Sequence, residues 1–386
     1  MTITSGSHAL MLRIMRAAAA FLLIVGALAV SALAVEAQDT SKKPKKPKAP
    51  RTAADSLTDA GLPKPGKMPA PPMFASEKPL ELTLTTNIKQ IKKDKNADAP
   101  WRTATISYTG EADKTITVPV RVKTRGIWRL KHCDYPPIRI KVADKAGKGT
   151  LLEDLDEPKL VTYCRNLDTY EQYVLQEAQL YRINRVVTDI SHKVRLLRLS
   201  YADSASGKVE VTRYSFLIED PAQVARRANG KIFEQKGATA DDLDPDISAL
   251  AFTFQYFIGN TDFDFAGLHN GEVIALPDGR NLPVSYDFDF AGAIDAMYAG
   301  VDPKMKVTRV RDRQFRGFCS HEAAYPKAFE QFVARKDAIY SLYRDEIGQL
   351  ISPGKVKSTL GYYDDFYENI KTPKDAQRNL FTTCVK

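Results

Sequence analysis

Residues 168–186 read DTYEQYVLQEAQLYRINRV. Tyr170, Tyr173, Val174, Glu177, Leu180 and Tyr181 recur at three- and four-residue intervals, the period of one helix face. Asp168 or Thr169 stands where a capping side chain belongs. The surroundings make this helix decisive. Upstream, PLELTLTTNI (79–88), TATISYTG (103–110), KTITVPVRVKTRG (114–126) and PPIRIKV (136–142) alternate apolar and polar residues and are rich in Val, Ile and Thr. They read as strands with one buried face, and KLVTYC (159–164) as another. Downstream, HKVRLLRLSYAD (192–203) and KVEVTRYSFLIED (208–220) return to strand, with a turn at Ser206-Gly207.

Beyond Asp220-Pro221 the character changes. AQVARRA (222–228) is helical, and residues 246–258 read as a buried helix ending at Gly259-Asn260. Two short strands, 272–275 and 282–286, flank the turn Pro277-Asp278-Gly279, and residues from 322 to 351 and beyond are helical by periodicity. The expected class is α+β: a strand-rich half with one helix (residues 75–220), then a helix-rich half (221–386). No internal repeat is visible.

The amino terminus is of another kind. Arg13 and Arg16 precede an uncharged run at 17–34, and Ala32-Leu33-Ala34 and Val35-Glu36-Ala37 are small-residue exits. These are the parts of a secretory signal over 1–37, with cleavage before Val35 or Gln38. An uncleaved anchor is the other reading of the same run. No later segment has about 18 uninterrupted apolar residues. The expected location is outside the cytoplasm: periplasm, cell surface or secreted.

The chain has 386 residues, 44% apolar and 27% charged, ordinary for a globular protein. Its net charge of +9 is unevenly spread: residues 1–37 carry +1 and 38–70 carry +5, leaving +3 for the body. The segment 38–74 holds SKKPKKPKAPR, a basic, proline-rich linker that stays extended and is able to brush an anionic surface. The folded part shows no basic face for nucleic acid. Four cysteines in an oxidising compartment allow three pairings. Cys133–Cys164 and Cys319–Cys384 are favoured because each pair lies within one half. No C-x₂₋₄-C spacing supports zinc.

Three segments carry chemistry: Arg125-Gly126-Ile127-Trp128-Arg129, Gly259-Asn260-Thr261-Asp262-Phe263-Asp264 leading to His269-Asn270, and Tyr286-Asp287-Phe288-Asp289-Phe290-Ala291-Gly292. Phosphoryl transfer needs a carboxylate to orient the attacking hydroxyl and oxygen ligands for a phosphate-bound Mg²⁺. Asp262 sits in a loop after a buried helix, and Asn270 and Asp287 follow on a strand-loop-strand. Asp287 and Asp289 alternate with phenylalanines, where an unpaired charge is costly. Trp128 either covers a ligand or packs on the sheet. His132, His192, His269 and His321 show no metal spacing, and no serine lies in G-x-S-x-G.

GNTDFDF…HN followed by PVSYDFDFAG resembles the catalytic region of the CotH-type spore-coat kinases and, more loosely, secreted Fam20-like kinases. RGIWR…YPPIRIKV is similar to the upstream segment of that group, and the resemblance spans residues 115–295 in order. It implies a protein-kinase-like two-lobed fold, a strand-rich N-lobe with one helix and a helix-rich C-lobe, using ATP with Mg²⁺ or Mn²⁺ on a protein substrate of the envelope or exported from the cell. By the same resemblance Asp262 is the catalytic carboxylate. Asp287 is a metal ligand assisted by Asp289, and Asn270 is a second ligand. Arg125 and Gly126 lie over the phosphates, and Glu177 pairs with the phosphate-binding cation. That cation is Lys141 or its strand neighbour Arg139. The chain lacks a G-x-G-x-x-G loop, so an inactive kinase-like binding protein is a second reading, and a metal-dependent phosphoester hydrolase a third. Some kinase-like folds transfer nucleotidyl groups instead.

Overall fold

Seven strands close into a barrel: β1 (Leu80–Thr86), β2 (Arg102–Thr109), β3 (Thr115–Thr124), β4 (Ile138–Val142), β5 (Lys159–Val161), β6 (Val194–Asp203) and β7 (Val209–Ile218), in the order β1-β2-β3-β4-β5-β7-β6. Neighbours are antiparallel except at the closing seam, where β6 runs parallel to β1 from Leu80 opposite Leu197 to Thr86 opposite Asp203. Alternation supplies the interior. Leu82, Leu84 and Thr86 of β1 and Val118, Val120, Val122 and Thr124 of β3 are buried, and the residues between them are not. The computed structural model describes residues 71–386 except 97, 144 and 156. The expected signal and most of the expected linker lie outside the described residues. Met73 and Phe74, counted above with the linker, are buried and belong to the body.

Helices α1 (Ile88–Lys93) and α2 (Trp128–His132) follow β1 and β3, and α3 (Asp168–Val187) lies between β5 and β6. Leu167, not Asp168 or Thr169, is the N-cap residue of α3. Both the apolar and the polar sides of α3 are buried, Val174 and Tyr181 along with Gln176, Gln179, Arg182 and Asn184. The helix packs on β7 on one side and on the later helices on the other. Its buried polar groups find partners there: Arg182 donates to Asp345 at 2.6 Å, and Gln179 to the Leu342 carbonyl.

The second half holds α4 (Pro221–Arg227), β8 (Lys231–Ile232), α5 (Pro245–Ile258), β9 (Gly271–Ala275), β10 (Asn281–Ser285), α6 (Tyr325–Ala334), α7 (Lys336–Ser341), α8 (Pro353–Asn369) and α9 (Pro373–Asn379). The strands form a three-stranded sheet, β10-β9-β8. Asp244 caps α5 by accepting from the Ile247 amide at 2.9 Å, and Pro245 takes its first turn. Every residue from Ser248 to Ile258 is buried, so α5 is a core helix. It ends at Gly259, whose φ is +67° and where a Cβ would meet the Tyr362 Oη at 1.9 Å. Only glycine satisfies both constraints.

The two-lobed kinase-like fold expected from the sequence is not what forms. Among the described residues the chain builds a closed seven-stranded mixed barrel, a three-stranded sheet and nine helices. One apolar cluster runs unbroken from Leu84, Val120 and Leu197 in the barrel through Leu180 and Tyr181 of α3 to Phe257, Phe332 and Phe366. Alternation along a strand reports which face is buried. It does not report that a seam between distant strands turns a sheet into a barrel.

All four described cysteines are paired as expected, Cys133 with Cys164 and Cys319 with Cys384. Two such bonds belong to a non-reducing compartment. No helix among the described residues is long and apolar enough to cross a membrane. Cys133–Cys164 closes a sequence separation of 31 residues and ties the end of α2 to the segment between β5 and α3. Chain entropy at that length corresponds to ~3–4 kcal/mol. Replacing both cysteines by alanine is expected to lower the urea midpoint accordingly, and an unchanged midpoint would show that the bond does not brace the folded chain.

Candidate functional site

The segment after β3 turns sharply into α2. The Arg125 amide donates to the Pro137 carbonyl at 2.9 Å, and Gly126 adopts φ +98°, a left-handed conformation open to glycine. The turn sends Arg129 inward. Its guanidinium lies 2.8 Å from Asp289 Oδ2, 3.3 Å from Glu177 Oε2 and 3.9 Å from Asp287 Oδ1. Three carboxyl groups thus share one cation. Burial pushes the Glu177 carboxyl well above its ordinary range and Asp289 up to about 6, with Arg129 pulling both the other way. Burial opposes the charge on Arg129 too, but Asp289, Tyr298 and Glu177 outweigh it and raise its pKa.

Asp262 lies in the loop that leaves α5. Its Oδ1 accepts from His269 Nε2 at 2.9 Å and its Oδ2 from Asn270 Nδ2 at 3.0 Å. Asn270 Nδ2 also donates to the Asp262 carbonyl at 2.8 Å. Arg316 braces the same loop from below by donating to the carbonyls of Thr261, at 2.7 Å, and Phe263. Asp287 follows β10 with φ +60°, and Asn270 precedes β9 with φ +49°. Such left-handed non-glycine residues cost about 1 kcal/mol each and persist where surrounding contacts impose them. For Asp287 the contact is Tyr181 Oη on α3, which accepts its amide at 2.8 Å. Phe288 is fully buried, with ring centroids 4.6 Å from Tyr181 and 5.3 Å from Phe254, so the flanking aspartates sit on a rigid anchor.

These elements enclose a cleft of about 330 Å³. Of the residues singled out from the sequence, Arg125, Gly126, Asp262, Asn270, Asp287 and Asp289 all line it, and Glu177 stands behind, joined through Arg129. Asp262 and Asp287 keep 38% and 36% of their side chains open, while Asp289 is spent on Arg129. Trp128 lies at the rim and stacks on Tyr298 and His132.

Arg139 and Lys141 do not line the cleft. They project outward from β4, 44% and 47% exposed, and pair with Glu157 at 3.2 and 3.5 Å. The reason is period two: Ile138 and Ile140 take the interior, so the basic residues between and beyond them face out. The expected partner of Glu177 is instead Arg129, one helix away.

The sequence reading missed Lys159, which with Val161 lines the cleft from β5, the strand preceding the helix that carries Glu177. Its Nζ lies 4.8 Å from the centre of the Tyr286 ring. Burial pushes the Lys159 ammonium down, with Glu272 and Asp287 pulling back, and burial likewise lowers Arg125, opposed by Asp287. Neither cation has a carboxylate within 4 Å among the described residues. Two desolvated cations thus face the cleft without a close ion pair of their own, although Asp287 and Glu272 act on them from farther away. Against known proteins, the chain matches no family model and no curated relative.

The carboxyl cluster is open to test. Arg129→Met leaves Glu177 and Asp289 buried without their shared cation, an expected loss of about 3–5 kcal/mol in urea unfolding. The raised Asp289 pKa contributes stability that is complete below 3.8 and is lost as pH rises through about 6. Asp289→Asn should therefore flatten the stability profile across that window. Identical slopes in variant and wild type would remove Asp289 from the cluster.

Proposed function

We propose that this protein is an exported phosphotransferase that moves the terminal phosphoryl group of ATP, bound with Mg²⁺ or Mn²⁺, to a serine or threonine hydroxyl of an envelope or secreted protein. One observation carries the reading. The open carboxylates of Asp262 and Asp287 and the amide of Asn270 line the same cleft as two unpaired cations, Arg125 and Lys159. Carboxylates beside an anion site are contradictory unless they serve a hydroxyl and a phosphate-bound cation.

Among the described residues no three His, Cys, Asp or Glu side chains stand ready for a metal. Mg²⁺ takes one or two carboxylates and completes its shell with phosphate and water. Asp287 would hold it with the Asn270 amide oxygen, since Asn270 Nδ2 is committed to Asp262. An ion held there would supply charge neutralisation at the phosphate oxygens.

The chain's own groups do the rest. Asp262, oriented by His269 and Asn270, accepts the proton of the acceptor hydroxyl. The hydroxyl oxygen bonds to the γ-phosphorus as the bond to the β,γ-bridging oxygen breaks, and ADP leaves with that electron pair. Arg125 and Lys159 stabilise the charge on the departing phosphates. Arg129 holds α2 and the Asp287–Asp289 segment in one geometry.

Purified protein with Mn²⁺ and γ-labelled ATP should label itself or a generic protein acceptor. Asp262→Asn and Asp287→Asn should each reduce labelling by about 100-fold or more. Lys159→Met should raise the KM for ATP about tenfold, ~1.4 kcal/mol of binding, whereas Lys141→Ala should match wild type. Full labelling by Asp287→Asn would end the assignment. Release of label as free phosphate alone would point to the hydrolase, and no nucleotide binding at millimolar concentration to an inactive scaffold.

A further inference from the structure

Large apolar side chains gather in the open at the mouth of the cleft. Ile127 is 84% exposed, Trp128 40% and Met297 70%. Ile127 and Trp128 line the cleft together with Asp262. Met297 joins them through its neighbour Tyr298, whose ring stacks on Trp128 at 5.4 Å. One exposed side chain of this kind is ordinary, but a group of them marks a surface that is covered in use. The fold holds the group in place. No helix or strand forms from 286 to 317 among the described residues. Yet the Met297 amide donates to Tyr173 Oη at 3.2 Å, and Tyr298 packs on Tyr170 and Tyr173. The buried anchor of α2 is Leu130, so Ile127 is free of any duty in the core.

Two occupants compete for this wall. A nucleobase stacks on an aromatic face, but Trp128 already stacks nearly parallel on His132, at 4.4 Å, and on Tyr298. A hydroxyl that reaches Asp262 brings its own chain neighbours along the wall. The irregular segment leads the same way: Asp302 acts electrostatically on Arg316, which braces the Asp262 loop. The cleft is on the order of 10 Å across, about three residues of extended chain. We propose that Ile127, Trp128 and Met297 form the acceptor-docking wall, selecting a protein segment with a large aliphatic residue within about three positions of its serine or threonine. The inference rests on the phosphotransferase reading and adds to it what the acceptor must carry.

The test is a set of serine peptides in which one leucine, or alanine in its place, is walked through the flanking positions. With Mn²⁺ and γ-labelled ATP, the best leucine peptide should exceed its alanine counterpart about tenfold in kcat/KM, chiefly through KM. Ile127→Ser and Met297→Ser, with thermal melts to confirm folding, should each cut that preference about threefold or more. A second readout needs no turnover. The chain has two tryptophans, so Trp101→Phe leaves Trp128 as the sole indole. Its emission should shift on titration with the leucine peptide and not with the alanine one. Equal kcat/KM for both peptides at every position overturns the docking wall and leaves phosphoryl transfer standing. An unchanged preference in both folded variants does the same. An emission shift without any labelling removes the phosphotransferase reading and keeps the wall. Neither labelling nor a shift removes both. A dimer in sedimentation that Ile127→Ser dissolves assigns the patch to a second copy of the chain and overturns the proposal.

Discussion

The Arg129 guanidinium, between Glu177 on α3 and Asp289 after β10, is the contact on which the arrangement of the cleft depends. It joins three parts of the chain that are remote in sequence: the turn after the third barrel strand, the long helix, and the segment leaving the small sheet. A buried ion cluster of this sort is a poor source of net stability, because desolvating the charges offsets most of their attraction. Its value is geometric. Any displacement of α2 or α3 strands a carboxyl group in the interior, so the alternatives are costly and one arrangement persists.

Two further constraints hold the same parts in place. The Cys133–Cys164 bond anchors α2 at its far end, so the helix carrying Arg129 is fixed covalently on one side and ionically on the other. Tyr181 on α3 holds the Asp287 amide and packs against Phe288, which fixes the left-handed turn presenting Asp287. The open carboxylates of Asp262 and Asp287 therefore stand on rigid supports, as preorganised chemistry requires. Arg125 and Lys159 make no ion pair within 4 Å in the same cleft, and Lys159 rests over the Tyr286 ring.

Much of the local structure is legible without coordinates. The strand alternation, the long helix at 168–187, the buried α5 and the glycine that ends it all follow from periodicity and caps, which act over a few residues; α1 and α2, too short to show a period, make three helices where the sequence suggested one. The aspartates at 262, 287 and 289 were recognisable because carboxylates amid phenylalanines need partners. The choice of Lys141 or Arg139 as the phosphate cation went astray although the needed signal was present. Ile138 and Ile140 take the inside of β4, and the same period puts both basic residues outside. Lys159 was harder to see, since a three-residue strand offers too short a pattern to assign its faces.

The sequence by itself determined the main strands and long helices, their buried faces and the presence of a carboxylate-rich segment, because each depends on neighbours close in the chain or on residue chemistry alone; it favoured the disulfide pairing without fixing it. Tertiary structure decided that β1 and β6 close a barrel, that a single core joins both halves, and that Arg129 is the partner of Glu177. Those outcomes depend on which distant surfaces come to share one low-dielectric interior, and no period within a strand or helix encodes that.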